Sequence, residues 1–391
     1  MSEHMTGASL AQVRARLLTW YDEHKRDLPW RATRDPWAIW VSEVMLQQTR
    51  VVSVLDYYPR FLARFPTAHD LAEASWEELS ALWAGLGYYR RARNLQEAAQ
   101  QLCAQHGGAV PRDPERFATL KGVGRYTRGA VMSIAFDLEE PIVDGNVRRV
   151  FTRWYGDERD ARGKDVERDL WTRAESWVKG ERPGDLNQAI MELGATVCTP
   201  KTPSCDRCPL RDSCLANKRA IVGRLPYLPS KAKALPEEVY LASLSQAEGR
   251  VWVVQAQEEG LLGGLWGLPM TLWTGDTRAF DERLAGPRDQ PGLFSLDEPE
   301  LFDQARSALR SHRGLASVGR LVCSVQHRFT HKVWRLYVFE ASGQPTLEGG
   351  EQEARCVTVE GLSSMGLGGP SLKAGRAAGL PLKVRRGSGA R

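Results

Sequence analysis

Apolar side chains recur at three- and four-residue spacing over residues 10–20, 37–55, 71–82, 95–102, 127–136, 166–178 and 186–197, which predicts a run of amphipathic helices. Turn signals punctuate that run: Asp35-Pro36, Gly85 with Gly87, Gly107-Gly108, Gly122 with Gly124, and Gly145. No internal repeat of fixed period is present. Residues 223–236 (GRLPYLPSKAKALP) contain three prolines and no sustained periodicity, which reads as a semi-rigid linker. Beyond it the period changes. Residues 239–244, 250–256, 321–325, 333–340 and 356–359 are short and rich in Val, Tyr and Trp, as strands are, with one helical stretch at 298–312. The pattern divides the chain into a helical region (1–222), a linker (223–236), an α+β unit (237–372) and a basic tail (373–391).

Composition adds exclusions. With 42% hydrophobic and 26% charged residues the 391-residue chain is ordinary globular material, and no stretch approaches the roughly 20 apolar residues of a membrane span. The start lacks the apolar core of a secretory signal, so a cytoplasmic protein is expected, associated with the nucleoid if bacterial. The net charge is +5, unevenly spread. Residues 1–200 hold 27 basic against 28 acidic residues, whereas residues 198–235 hold eight basic and two acidic ones. Clustered positive charge suits phosphate, although a solvated linker looks the same.

Three patterns carry chemistry. Cys198-x6-Cys205-x2-Cys208-x5-Cys214 places four thiols within 17 residues, and soft sulfur donors select an iron–sulfur cluster or zinc. The gaps of six and five fit the two close couples of a zinc site poorly. Lys201, Arg207 and Arg211 share the same loop. Second, Gly122-Val123-Gly124-Arg125 ends a helical stretch and begins another. Two glycines in one turn leave backbone N–H groups open to a phosphate, with a helix N-terminus behind them; a plain inter-helix turn is the alternative. Third, Glu43 sits among Met45, Leu46 and Gln47, and Asp144 follows Ile142 and Val143. A carboxyl in apolar company has a raised pKa and acts as an acid, while a second, solvated one stays ionised. Cleavage of an N-glycosidic bond needs that pair, one to protonate the leaving base and one to stabilise the sugar cation. Taken singly, either residue reads equally as a surface charge or a helix cap.

LPWR (28–31), SEVMLQQT (42–49), GLGYYRRARNL (85–95), GVGRYT (122–127), VDGNVRRV (143–150) and the four-cysteine loop, in that order, resemble the A/G-specific adenine DNA glycosylases of the MutY type. The resemblance is dense over the first 220 residues or so and continues through GLLGGLWGLP (260–269), HRFTH (327–331) and GLGGP (366–370). It implies an all-α helix–hairpin–helix glycosylase with a 4Fe–4S cluster domain, followed by an α+β Nudix-like lesion-recognition domain. It also implies a monomer that acts on duplex DNA and excises adenine mispaired with 8-oxoguanine, or with guanine, after flipping it from the stack. By motif position Glu43 is the general acid, Asp144 the stabiliser of the sugar cation and Asn146 its orienting neighbour. Trp30, Arg31 and Gln188 resemble the adenine pocket. Gln48, Thr49, Leu86 and Tyr88 resemble the wedge, and His327, Phe329, Thr330 and His331 the tip that reads the lesion. Gly122, Val123, Gly124 and Arg125 hold the DNA backbone.

Two departures refine the expectation. Lyase relatives resembling endonuclease III carry a Schiff-base Lys where this chain has Tyr126, and a phenol forms no imine, so a monofunctional enzyme is expected. Between Gly267 and Asp303 there is no REx2E pattern to hold magnesium, so the C-terminal unit is expected to recognise and not to hydrolyse. Without the resemblance, HRFTH reads as a turn between strands. Competing readings are a glycosylase–lyase for oxidised pyrimidines, a thymine-mismatch glycosylase, and a non-catalytic iron–sulfur DNA sensor in which Glu43 and Asp144 are idle.

Overall fold

The structure, a computed structural model, describes residues 9–229, 235–257, 260–285, 298–348, 351–362 and 365–382. The chain forms two compact units, Met1–Glu73 with Arg90–Ala232, and Ala74–Tyr89 with Lys233–Arg391. No described helix is long and apolar enough to cross a membrane.

The first unit is helical, and its helices begin where capping side chains dictate. Ser9 and Gln12 form a reciprocal capping box ahead of Leu10–His24. Asp35 and Asp113 each accept two backbone N–H bonds ahead of Pro36–Leu46 and Pro114–Ala118, both of which carry Pro in their first turn. Pro36–Leu46 is buried along nearly its whole length and packs on Arg125–Phe136, while Gly145–Trp154 packs on Pro183–Thr196. Close approach needs glycine here: a Cβ on Gly194 would lie 2.6 Å from Asn146 Cβ.

Two expected helices are divided. Residues 37–55 give Pro36–Leu46 and Val51–Val54, because the chain turns at Gln48, which has a left-handed φ of 56°. The buried Arg91 guanidinium holds that turn open. It donates to the carbonyls of Val44 (2.7 Å), Met45 (2.9 Å) and Gln47 and to the Thr49 hydroxyl (3.1 Å), a cation at the negative end of the helix. Residues 71–82 likewise divide into Ala68–Glu73 and Trp76–Trp83, since the Ser75 hydroxyl accepts the N–H of Glu78 and starts a new helix.

The second unit is a seven-stranded mixed sheet: β1 (Glu237–Ala247), β2 (Arg250–Ala256), β3 (Trp266–Gly267), β4 (Met270–Trp273), β5 (Ser317–Arg328), β6 (Val333–Ser342) and β7 (Glu351–Thr358). The main path runs β3-β2-β1-β6-β5, with β4 on β1 and β7 on β2. β1 and β6 are parallel, and the other pairs antiparallel. One core joins Leu244, Val253, Leu336 and Val338 to Met365, Ala374 and Leu382; the other joins Leu241 and Phe339 to Phe280 of Arg278–Ala285 and Leu309 of Glu298–Arg313. Helices therefore cover both sides of the sheet.

Two boundaries differ from the sequence reading. Residues 74–89 belong to the second unit, held there by Trp76 Nε1 on the Gly264 carbonyl (3.2 Å) and the Tyr89 hydroxyl on the Leu367 carbonyl (3.3 Å). The expected tail from residue 373 is partly folded: Gly369–Ala377 is helical, and Leu380 and Leu382 are buried. Residues 230–234 of the linker, 286–297 of the stretch without REx2E, and the tail from 383 onward lie outside the described residues.

Candidate active site

A cavity of about 600 Å³ opens in the helical unit, within the usual range for a small-molecule or base pocket. Its wall carries Glu43, Tyr126, Asp144 and Asn146, together with Trp30, Arg31 and Gln188. Residues from four separate motifs thus converge on one space.

Glu43 projects from Pro36–Leu46 and is only 4% exposed. Burial pushes its carboxyl up to about 7, and the nearby Asp144 adds to the rise. Two groups oppose it: the Tyr126 hydroxyl, which donates to Oε2 at 2.7 Å, and the Arg31 charge. Tyr126 stands in the first turn of Arg125–Phe136 and also lies 3.4 Å from Met191 Sδ. Burial and the two carboxylates hold its own phenol well above the ordinary value, so it is a donor and not an anion.

Asp144 is the N-cap of Gly145–Trp154. The sequence suggested a solvated carboxylate; instead burial raises its pKa, and protein groups that include the Asn146 backbone N–H favour the anion. The Val147 N–H donates to Oδ1 at 2.7 Å and Asn146 Nδ2 to Oδ2 at 2.8 Å, with the Arg149 charge beyond them. Asn146 in turn accepts from Arg149 Nη2 (2.8 Å), whose Nε donates to the Cys198 carbonyl (2.7 Å). The two acids therefore differ in hydrogen-bond supply, the arrangement that separates a proton donor from a fixed anion.

Of the residues expected at the wedge, Gln48 and Thr49 line this cavity. Leu86, which is buried, and Tyr88, half exposed with φ 48°, belong to the second unit. At the hairpin, Gly122 and Gly124 are exposed, and Gly124 caps Arg125–Phe136 with no side chain on the helix N–H groups. Val123 closes the turn on the Leu120 carbonyl. Arg125 is engaged elsewhere: its guanidinium lies 3.9 Å from the Trp171 ring centre and pairs with Glu175 at 2.8 Å. In the second unit Thr330 and His331 are exposed in the β5–β6 turn, where the Phe329 N–H meets the Lys332 carbonyl. His327 packs inward. Its ring is 4.7 Å from that of Phe329, Nδ1 is buried with no partner among the described residues, and burial draws its pKa down to about 4.

The four cysteines sit in one half-buried loop after Pro183–Thr196. Burial pushes the Cys208 thiol up to about 12, and the neighbouring Cys198, Cys214 and Cys205 add to the rise; metal binding favours the thiolate that burial disfavours. Arg153, itself 2% exposed, reaches Cys198 Sγ (3.3 Å) and the carbonyls of Thr199, Pro200 and Leu225, which orders the loop and supplies a cation beside sulfur. Among the described residues no three His, Cys, Asp or Glu side chains converge tightly enough for a single metal ion. The all-sulfur donor set fits a four-iron cluster, in which each cysteine takes a different iron.

Sequence reasoning missed Arg26, Met191 and Glu192 in the cavity wall, and Arg91, Arg149 and Arg153 behind it. Glu192 left a trace one helical turn after Gln188, and Arg91 and Arg149 lie inside the GLGYYRRARNL and VDGNVRRV motifs without a role read for them.

Comparison with known proteins bears on the fold and the family. The model for "HhH-GPD superfamily base excision DNA repair protein" matches residues 41–176, that for "Iron-sulfur binding domain of endonuclease III" residues 198–214, and that for "NUDIX domain" residues 240–374. Fold and site thus define a helix–hairpin–helix base-excision DNA repair protein with an iron–sulfur cluster and a Nudix-type second unit. An adenine DNA glycosylase of Rattus norvegicus is 51% identical over 57% of this chain and 45% of its own length. One of Schizosaccharomyces pombe is 30% identical over 97% of this chain and 92% of its own. The chain belongs to the adenine DNA glycosylase family. It spans about half the length of the mammalian relatives it matches. Among solved structures, a thermostable thymine-DNA glycosylase aligns with a TM-score of 0.50 at 31% identity, over 54% of this chain and 97% of that one.

Proposed function

We propose that the protein is a monofunctional DNA glycosylase that removes adenine, placed opposite 8-oxoguanine or guanine, from duplex DNA. The observation that carries this reading is the pair of unlike carboxyls on one cavity wall: Glu43 poised near neutrality, Asp144 capped by hydrogen-bond donors. The adenine leaves the stack and enters the cavity between Trp30, Arg31 and Gln188. Glu43, still protonated, transfers its proton to a ring nitrogen of the base. The C1′–N9 bond breaks, its electron pair goes to the neutral leaving adenine, and the sugar becomes an oxocarbenium ion. Asp144 stabilises that cation, held at the required angle by Asn146 and the Val147 N–H. Water then attacks C1′ and loses its proton to the Glu43 carboxylate, which restores the starting state.

Tyr126 stands where an imine-forming Lys would be needed, so the product is an abasic site in an intact strand. The cluster supplies order to the Cys198–Cys214 loop, whose exposed Lys201, Arg207 and Arg211 suit DNA phosphates, as do the hairpin N–H groups. The β5–β6 turn, with Thr330 and His331 exposed, is the surface that reads the oxidised guanine. The enzyme works as a monomer.

The test is single-turnover cleavage of duplexes bearing adenine opposite 8-oxoguanine, adenine opposite guanine, or thymine glycol, scored with and without alkali. Alkali-dependent cleavage of the first, lost in Glu43→Gln, is expected. Alkali-independent nicking at thymine glycol would assign the chain to the lyases, and binding without cleavage would make it a sensor.

A further inference from the structure

One carboxylate in the cavity wall has no part in the chemistry above. Glu192, on Pro183–Thr196, has a fully buried side chain, yet it carries a charge: burial pushes its pKa up, but Arg26 and Arg31 outweigh that and hold it at about 2. Oε1 accepts from Arg26 Nε (2.7 Å) and from the Arg26 backbone N–H (3.2 Å); Oε2 accepts from Arg26 Nη2 and Arg31 Nη2, both at 2.8 Å. Arg31 Nη1 is also committed, to the Arg26 carbonyl at 2.9 Å. Both terminal nitrogens of Arg31 are thus tied, and the guanidinium lies 5.5 Å from the Tyr21 ring centre. Of the three N–H donors left over, Nε–H is buried and without an acceptor among the described residues, on a side chain that lines the cavity.

A planar five-donor fork tied at two corners cannot rotate. The charged and titratable residues on the cavity wall are Arg26, Arg31, Glu43, Tyr126, Asp144 and Glu192. Arg31 opposes protonation of Glu43, and Glu192 is the anion bonded directly to Arg31.

We propose that Glu192 is a positioning residue of the base pocket: it locks the Arg31 fork in the cavity wall, and it offsets the Arg31 charge as Glu43 experiences it. This rests on the glycosylase reading for the identity of the base but not for the electrostatics. Without the Glu192 charge, Arg31 acts on Glu43 uncompensated and the general acid gives up its proton at lower pH. Without Arg26, the Glu192 charge is left entirely to Arg31, and Glu43 holds its proton to the same pH or higher.

The experiment compares the full-length wild-type protein with Glu192→Gln and Arg26→Gln. The readout is the infrared carbonyl band of protonated Glu43, isolated by subtracting the spectrum of the matching Glu43→Gln protein, followed through a pH titration. Glu192→Gln is expected to move the midpoint down by about one pH unit, the lower end of the effect of one nearby charge. Arg26→Gln, which disturbs the same buried cluster, should leave the midpoint in place or raise it. The alkaline limb of single-turnover adenine cleavage should follow the same directions. A lower rate in Glu192→Gln with an unmoved midpoint would reduce Glu192 to packing and overturn the inference, as would equal downward shifts in both variants. Opposite shifts in the infrared titration without any adenine cleavage would uphold the inference and remove the glycosylase reading instead.

Discussion

Replacing Tyr126 by Phe removes the hydroxyl that donates to Glu43 Oε2 at 2.7 Å while keeping the ring that helps to bury it. In the wild type that bond pulls the Glu43 pKa down against burial. A hydrogen bond to a charged group contributes about 1.5–3 kcal/mol, and each pKa unit is worth about 1.4 kcal/mol. The midpoint should therefore rise from about 7 by roughly one to two units. In the proposed reaction cleavage requires protonated Glu43, so activity should fall as pH rises through this midpoint, and the fall should come later in Tyr126→Phe. The assay is the single-turnover rate of adenine release against pH, under conditions where DNA stays saturating. The plateau is a separate quantity, set by whatever the hydroxyl contributes to proton movement, and either a high or a low plateau is compatible with the shift. A limb that stays in place, or moves to lower pH, would refute the claim that Tyr126 and Glu43 share a proton-sensitive hydrogen bond.

Three other outcomes follow from the same contacts. Glu43 holds its proton more tightly in the folded protein (about 7) than in the unfolded chain (4.5), so its burial costs nothing at low pH and most above neutrality. Glu43→Gln should be more stable than the wild type above neutrality, by up to about 3 kcal/mol, with the gap closing towards acid pH; urea unfolding at several pH values measures it. Arg153→Leu leaves the carbonyls of Leu225, Thr199 and Pro200 and the Cys198 sulfur without their donor, and should cost about 3 kcal/mol or more. Reduced iron per chain and an earlier unfolding transition would show it. Gly194→Ala drives a methyl to 2.6 Å from Asn146 Cβ and displaces the Asp144 cap; single-turnover cleavage should fall on the order of 100-fold, with DNA binding retained.

How much of this was legible before the structure depends on the range of the interaction. The break at Asp35-Pro36 ahead of Pro36–Leu46 was readable because a cap acts within three residues of itself, whereas the short helix Pro114–Ala118 behind Asp113 was not read. The four cysteines were readable because their spacing is local. The break at Gln48 was not: the apolar period runs on through residue 55, and what stops the helix is Arg91, more than 40 positions away. Residues 74–89 were assigned to the helical region for a similar reason. Their periodicity is helical, and contacts far along the chain, among them the Trp76 and Tyr89 bonds to residues 264 and 367, place them with the second unit. Strands β3 and β4 escaped because two and four residues are too few to show a period.

The two cavity carboxyls show the same division in chemical terms. Motif order identifies Glu43 and Asp144 but says nothing of why two carboxyls in one cavity should behave differently. Burial raises both, so burial alone does not assign the roles. The difference lies in the donors. Asp144, at a helix N-terminus, receives a backbone N–H and the Asn146 amide, groups that reward the anion; Glu43, in mid-helix, receives one phenol and is left with a proton near neutrality. Because Asn146 is itself held by Arg149, and Arg149 by the Cys198 carbonyl, the anion's geometry depends on the order of the cysteine loop. Arg153, one turn on, fixes that loop from the same helix. Gly145–Trp154 therefore does two jobs with one backbone: its N-cap presents the Asp144 carboxylate to the cavity, and its arginines tie that carboxylate to the cysteine loop.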